Sequence, residues 1–253
     1  MTLTISGEPL VAYLLASVRI VAWLAVVPPF SGRTVPSMVK VVVSLGLAFA
    51  VVPNGDSIPL DTVGLLLNVA TQVLIGVAMG FVTYLLLAAI AAAGSLIDVF
   101  GGFSLAQGFD PLSMNSTTVF GKFHQMLATV LLFVSGGHLM VIGGLLQTFK
   151  FLPLGTSPDW SSAPDVFLTA FGLFFTTAVQ IALPMIAVLF LADVGLALLT
   201  KVAPQMQAMT VMFPVKIGLT LLLVGLSFPV IPHALDRMVD LSTQAMSTLS
   251  GVG

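Results

Sequence analysis

Ser104, Asp110 and His124 are the side chains of a nucleophile, an acid and a base, and they lie in one short stretch of the chain. A serine hydrolase needs more than residue types. Its nucleophile sits on a sharp turn between glycines, as in G-x-S-x-G, whereas Ser104 has Phe103 and Leu105 as neighbours in GGFSLAQG. The three histidines, His124, His138 and His233, lack the i, i+4 spacing that puts two imidazoles on one helix face around a metal. With no cysteine there is no thiolate ligand, disulfide or sulfur nucleophile. These patterns point to no catalytic residue, no metal site and no cofactor.

The charged side chains carry more information, because they are scarce. Hydrophobic residues make up 58% of 253 positions and charged residues 7%, against about 25% charged in a soluble domain. The mean hydropathy is +1.13. Eight basic and ten acidic side chains cannot wet the surface of a globule this long, so the chain is an integral membrane protein. A formal charge of −2 offers no basic face to nucleic acid. Charges inside or at the edge of apolar segments are costly and are functional candidates. They are Arg19, Lys40, Asp98, Lys122, Asp193, Lys201 and Lys216. Asp98 and Asp193 each end a long apolar run. Either serves as a proton relay, or as an interfacial or ion-paired group with Lys122, Lys201 or Lys216.

A bilayer core needs roughly 20 apolar residues per helix. Six segments meet or approach that length: Leu10–Phe30, Pro36–Val52, Val63–Ala93, His124–Phe149, Val166–Ala192 and Val211–Ile231. The second is short and the third longer than a span requires. Most prolines punctuate segment ends, but Pro184, Pro214 and Pro229 fall within or near apolar runs and predict kinks. The N-terminus carries Glu8 and no basic residue before Arg19, unlike a cleavable signal, so the first segment is expected to be retained. Arg33, Lys40, Lys122, Lys201 and Lys216 outnumber Lys150 and Arg237 on alternate connections, which places both termini outside in a serpentine of six. The last stretch has helical periodicity: Leu235, Met238, Val239, Ser242, Met246 and Leu249 share one face, with Asp236, Arg237 and Asp240 off it.

Two patterns remain. Gly76 and Gly80, followed by Ala88, Ala89, Ala91, Ala92, Ala93 and Gly94, let helix backbones approach closely, within this chain or against other subunits. Between Gly101 and Thr118 the chain reads GGFSLAQGFDPLSMNSTT, rich in glycine and almost without charge. Non-helical backbone at membrane depth must lie inside protein or along a water-filled cavity. The expected architecture is an all-α membrane protein, a single domain over 1–253. It has about six long, partly kinked hydrophobic helices, a re-entrant-type central loop and a C-terminal amphipathic helix.

Four stretches resemble one family in order and spacing: Arg19 to Lys40 with the LGLAFAVVP that follows, GSLIDVFGGFSLAQGFDP, LLFVSGGHLMVIGGLLQTFKFLPLG, and LADVGLALLTKVAPQMQAMTVMFPVKIGLTLLL. The chain resembles the FliR/SctT family of type III secretion export-gate proteins, on its flagellar branch. The resemblance implies a non-enzymatic subunit in the bacterial inner membrane, at the flagellar basal body. Its implied partners are FliP, FliQ and FlhB homologues, and unfolded export substrates pass through the assembly. It also implies a FliP-like front part over 1–150, a FliQ-like hairpin and C-terminal helix over 163–253, and helices that depart from a simple serpentine. The segment after the third long helix is implied to close the channel as a plug. Gly101, Gly102 and Gly108 would bend it, Phe103, Phe109, Leu112 and Met114 would seal it, and Asp110-Pro111 would start a turn. Pro204 and Gln205, with the charged residues above, are candidate assembly positions. The rival reading is an ion-coupled secondary transporter using Asp98 and Asp193, although the halves carry no convincing inverted repeat.

Overall fold

A computed structural model of the chain describes residues 7–32, 35–51, 61–103, 118–156, 158–202 and 208–251. Among them every regular element is helical: α1 (Gly7–Val26), α2 (Ser37–Phe49), α3 (Thr62–Gly101), α4 (Val119–Val134), α5 (Gly137–Phe151), α6 (Ala163–Val202), α7 (Ala208–Leu223), a 3₁₀ turn (Val224–Ser227) and α8 (Val230–Leu249). Three of these, α1, α3 and α6, are long and apolar enough to cross a membrane. Counting each of two bent pairs as one span gives up to five.

The departures from six continuous segments have local causes. The segment His124–Phe149 is two helices, because Gly136 takes a left-handed φ of 76° and stops α4 before α5 begins. The last apolar segment ends in the 3₁₀ turn, and Pro229 and Pro232 flank the start of α8, where a missing amide costs least. At 13 residues α2 is about 20 Å long, short of a bilayer core. Both α3 and α6 run for 40 residues, about 60 Å. Asp61 starts α3 by accepting the Gly64 amide at 2.9 Å. Pro184 and Pro214 lie inside helices.

Two compact units interleave along the chain. The first comprises Met1–Leu86, Ser135–Phe171 and Met238–Gly253. Here Gly76 and Gly80 do what small residues do in membrane helices: a Cβ on Gly76 would strike the Arg19 carbonyl and Ala22, and one on Gly80 would stand 3.1 Å from Val26. Tyr13 donates to the Leu45 carbonyl at 2.8 Å and tilts against Phe49, joining α1 to α2. Gly144 of α5 lies against Met246 and Thr243 of α8. On α8, Met238, Val239, Ser242, Met246 and Leu249 are buried in this unit and Asp240 is exposed, while Leu235 is buried and Asp236 and Arg237 are exposed in the second, as the face read from sequence expects.

The second unit comprises Leu87–Val134 and Gly172–Arg237. Ile90, Ile97, Phe120, Leu132, Ile181, Met185, Leu189 and Leu223 form its apolar interior. Gly94 is in backbone contact with the Phe120 carbonyl, so α3 and the start of α4 meet without an intervening side chain.

Candidate functional site

The end of α3 and the start of α4 are the two ends of the connection that contains the glycine-rich stretch, and they are joined. Asp98 is fully buried, and its Oδ2 accepts the amides of Phe120 at 2.8 Å and Gly121 at 3.1 Å. The first amides of a helix have no intrahelical acceptor and carry partial positive charge, so a carboxylate suits them. Ser95 and Thr118 share a hydrogen bond of 2.8 Å, and Ser95 also reaches the Ala91 carbonyl. Phe103 packs edge-on against Phe120 with ring centres 5.0 Å apart. A Cβ on Gly101 would lie 2.7 Å from the Thr220 hydroxyl of α7, and Gly102 ends α3 with φ of 83°. His124, also buried, is 2.9 Å from the Phe120 carbonyl through Nδ1 and 3.2 Å from the Ser227 hydroxyl through Nε2. The junction is therefore a polar knot inside an apolar unit.

A second centre surrounds Arg19. Its guanidinium is fully buried, with Nε donating to Gln72 Oε1 at 2.7 Å and both terminal nitrogens to the Leu152 carbonyl at 3.1 Å. The ring of Phe149 lies 4.1 Å beneath the guanidinium carbon. Leu152 is the residue that closes α5. A cation there answers the negative end of the helix, and the ring face adds a cation–π contact. The acceptors are a neutral amide and a carbonyl, so this charge binds helix to helix through hydrogen bonds.

The other sequence candidates separate. Asp193 and Lys216 come together, with Nζ 2.8 Å from Oδ1 and 2.9 Å from Oδ2. Lys122 is exposed and reaches Gln125 at 3.3 Å, Lys201 is exposed in the last turn of α6, and Lys40 is half-buried in α2. Gly108, Phe109, Asp110, Pro111, Leu112, Met114, Pro204 and Gln205 lie outside the described residues, as does Ser104. Sequence reasoning missed Gln72, Phe149, Ser95, Thr118 and Thr220. Gln72 had a usable signal, since it is an amide inside the apolar run LLLNVATQVLIG. The Leu152 carbonyl and the Phe120 and Gly121 amides had none, because every residue carries those groups.

Comparison with known proteins places this geometry in context. Residues 10–242 match the family described as bacterial export proteins, family 1. The chain is similar to the flagellar biosynthetic protein FliR of Escherichia coli (strain K12), with 34% identity over 173 residues, covering 68% of this chain and 66% of the relative. It is 32% identical to the flagellar biosynthetic protein FliR of Pectobacterium carotovorum subsp. carotovorum over 239 residues, 92% of each chain. The Yop proteins translocation protein T of Yersinia pestis is 26% identical over 195 residues, 74% of each chain.

Proposed function

Since the chain belongs to bacterial export protein family 1, it is a membrane component of a flagellar or type III export apparatus, and we propose that it completes and closes the export gate. In this reading it assembles with FliP and FliQ homologues in the bacterial inner membrane, with an FlhB homologue alongside. Its front part, 1–150, corresponds to the first partner and its rear part, 163–253, to the second. Unfolded substrates pass through the assembly, and residues 101–114 obstruct the path at rest. The chain itself makes and breaks no covalent bond.

The observation that carries the closing role is the knot at the α3–α4 junction. Phe103 and Thr118, the residues that bound the segment, are tied to Phe120 and Ser95 and so share one fixed platform. A plug has to be anchored at both ends to return to the same place.

Co-expression with the neighbouring export subunits tests the assembly. The chain should co-purify with them in a stable complex, and a chain that remains a monomer beside them overturns the reading. Deleting residues 104–117 tests closure. Small-ion leakage through the assembled complex should rise, and unchanged leakage with intact assembly removes the plug role.

A further inference from the structure

We infer that Asp98 is a positioning residue that fixes the distance and direction between the last turn of α3 and the first turn of α4.

Its contacts differ from those of an ordinary helix cap. A capping side chain normally comes from the residue just before the helix. That residue here is Thr118, whose hydroxyl is engaged with Ser95 and with Asp98 itself. The amides of Phe120 and Gly121 are taken instead by a carboxylate 22 and 23 positions away on another helix. A local cap would hold α4 together, whereas this one holds α4 to α3.

Two glycines make the contact possible. A Cβ at Gly94 would overlap the Phe120 carbonyl, and one at Gly121 would overlap the Thr118 and Ser95 hydroxyls. The two stems thus approach to backbone contact around Asp98. Its other oxygen, Oδ1, is buried and has no partner among the described residues. Among the described residues the backbone amides reach the carboxylate through Oδ2 alone. Asparagine can reproduce that arrangement with its single amide oxygen, and alanine cannot. Position 98 is therefore read by its acceptor, and substitution can separate acceptor from charge.

The consequence for channel closure rests on the plug reading, but the positioning role does not, and the experiment separates them. The chain has no cysteine, so Val99→Cys and Val119→Cys, both at exposed positions, introduce the only spin-label sites. Pulsed electron–electron resonance on the full-length chain should give one narrow distance for the parent and for Asp98→Asn. Asp98→Ala should broaden or shift it. An unchanged narrow distance in Asp98→Ala overturns the proposal, and so does equal broadening in Asp98→Asn. If Asp98→Ala fails to accumulate, Asp98→Ser, too short to reach both amides, takes its place with the same expectations. Leakage through the assembled complex is read in parallel. A tight channel after deletion of 104–117, with a broadened distance in Asp98→Ala, removes the plug reading and keeps this one. A leaking deletion with an unchanged distance does the reverse.

Discussion

Both terminal nitrogens of Arg19 converge on the carbonyl oxygen of Leu152, each at 3.1 Å, so one side chain of α1 closes the C-terminal end of α5. Arg19→Ala would leave that carbonyl and Gln72 Oε1 buried and unpaired, at about 1–3 kcal/mol for each orphaned group. Arg19→Lys restores charge but has no planar fork with which to hold Leu152 and Gln72 together. Thermal unfolding of the detergent-solubilised chain should rank the parent above Arg19→Lys and Arg19→Ala lowest. A lysine variant as stable as the parent would mean that charge alone matters there.

Glycine substitutions separate close approach from helix propensity. Gly76→Ala must push α3 off the Arg19 carbonyl, and overpacking of this kind costs about 1–3 kcal/mol. Gly143 of α5 has nothing within 4 Å of a built Cβ, so Gly143→Ala should be neutral or stabilise by up to about 1 kcal/mol. Melting curves of the two variants should move in opposite directions or differ clearly. Equal shifts would remove the packing role of Gly76.

Asp193 and Lys216 should behave as a coupled pair. Removing either partner leaves the other without its counter-charge in a partly buried setting, while Asp193→Asn with Lys216→Met removes both. The double variant should lose less than the sum of the singles, with a coupling of about 0.5–3 kcal/mol. A further variant distinguishes the export reading from ion-coupled transport. Neutralising Asp98 and Asp193 together should cost assembly or nothing, and lost proton or ion coupling with undiminished complex yield would favour transport.

The docked face of α8 sets the last expectation. Met246 is fully buried and Asp240 exposed, so Met246→Lys should release the helix and Asp240→Lys should not. Met246→Leu nearly conserves volume and should cost less than about 1.5 kcal/mol. Limited proteolysis near the C-terminus reads the outcome, and comparable cleavage of both lysine variants would contradict the docking.

The α8 face was legible because a helix repeats every 3.6 residues, so burial imprints a period on the sequence. The apolar runs that became α1, α3 and α6 were legible by length instead, since a bilayer core needs roughly 20 apolar residues in succession. Gly76 and Gly80 announced a close helix contact by their spacing, though only the folded chain identifies α1 as the neighbour. Gly136 was less legible. In VSGGHLM two adjacent glycines were read as part of one span, and only the left-handed φ at Gly136 reveals where α4 gives way to α5.

Composition and periodicity by themselves settled that this is an all-helical membrane protein, which segments are apolar and which charges are costly. Those properties follow from the solvent that each stretch can tolerate, a local matter. Tertiary structure decided what the charges do. Asp98 holds the Phe120 and Gly121 amides, Arg19 holds the Leu152 carbonyl, and only Asp193 found a lysine among the pairings expected for the two carboxylates. Two of the three partners are backbone groups that carry no residue identity. A hydrogen bond to such a group leaves no trace in the sequence of the segment that provides it, so the chain had to be folded before the partner could be named.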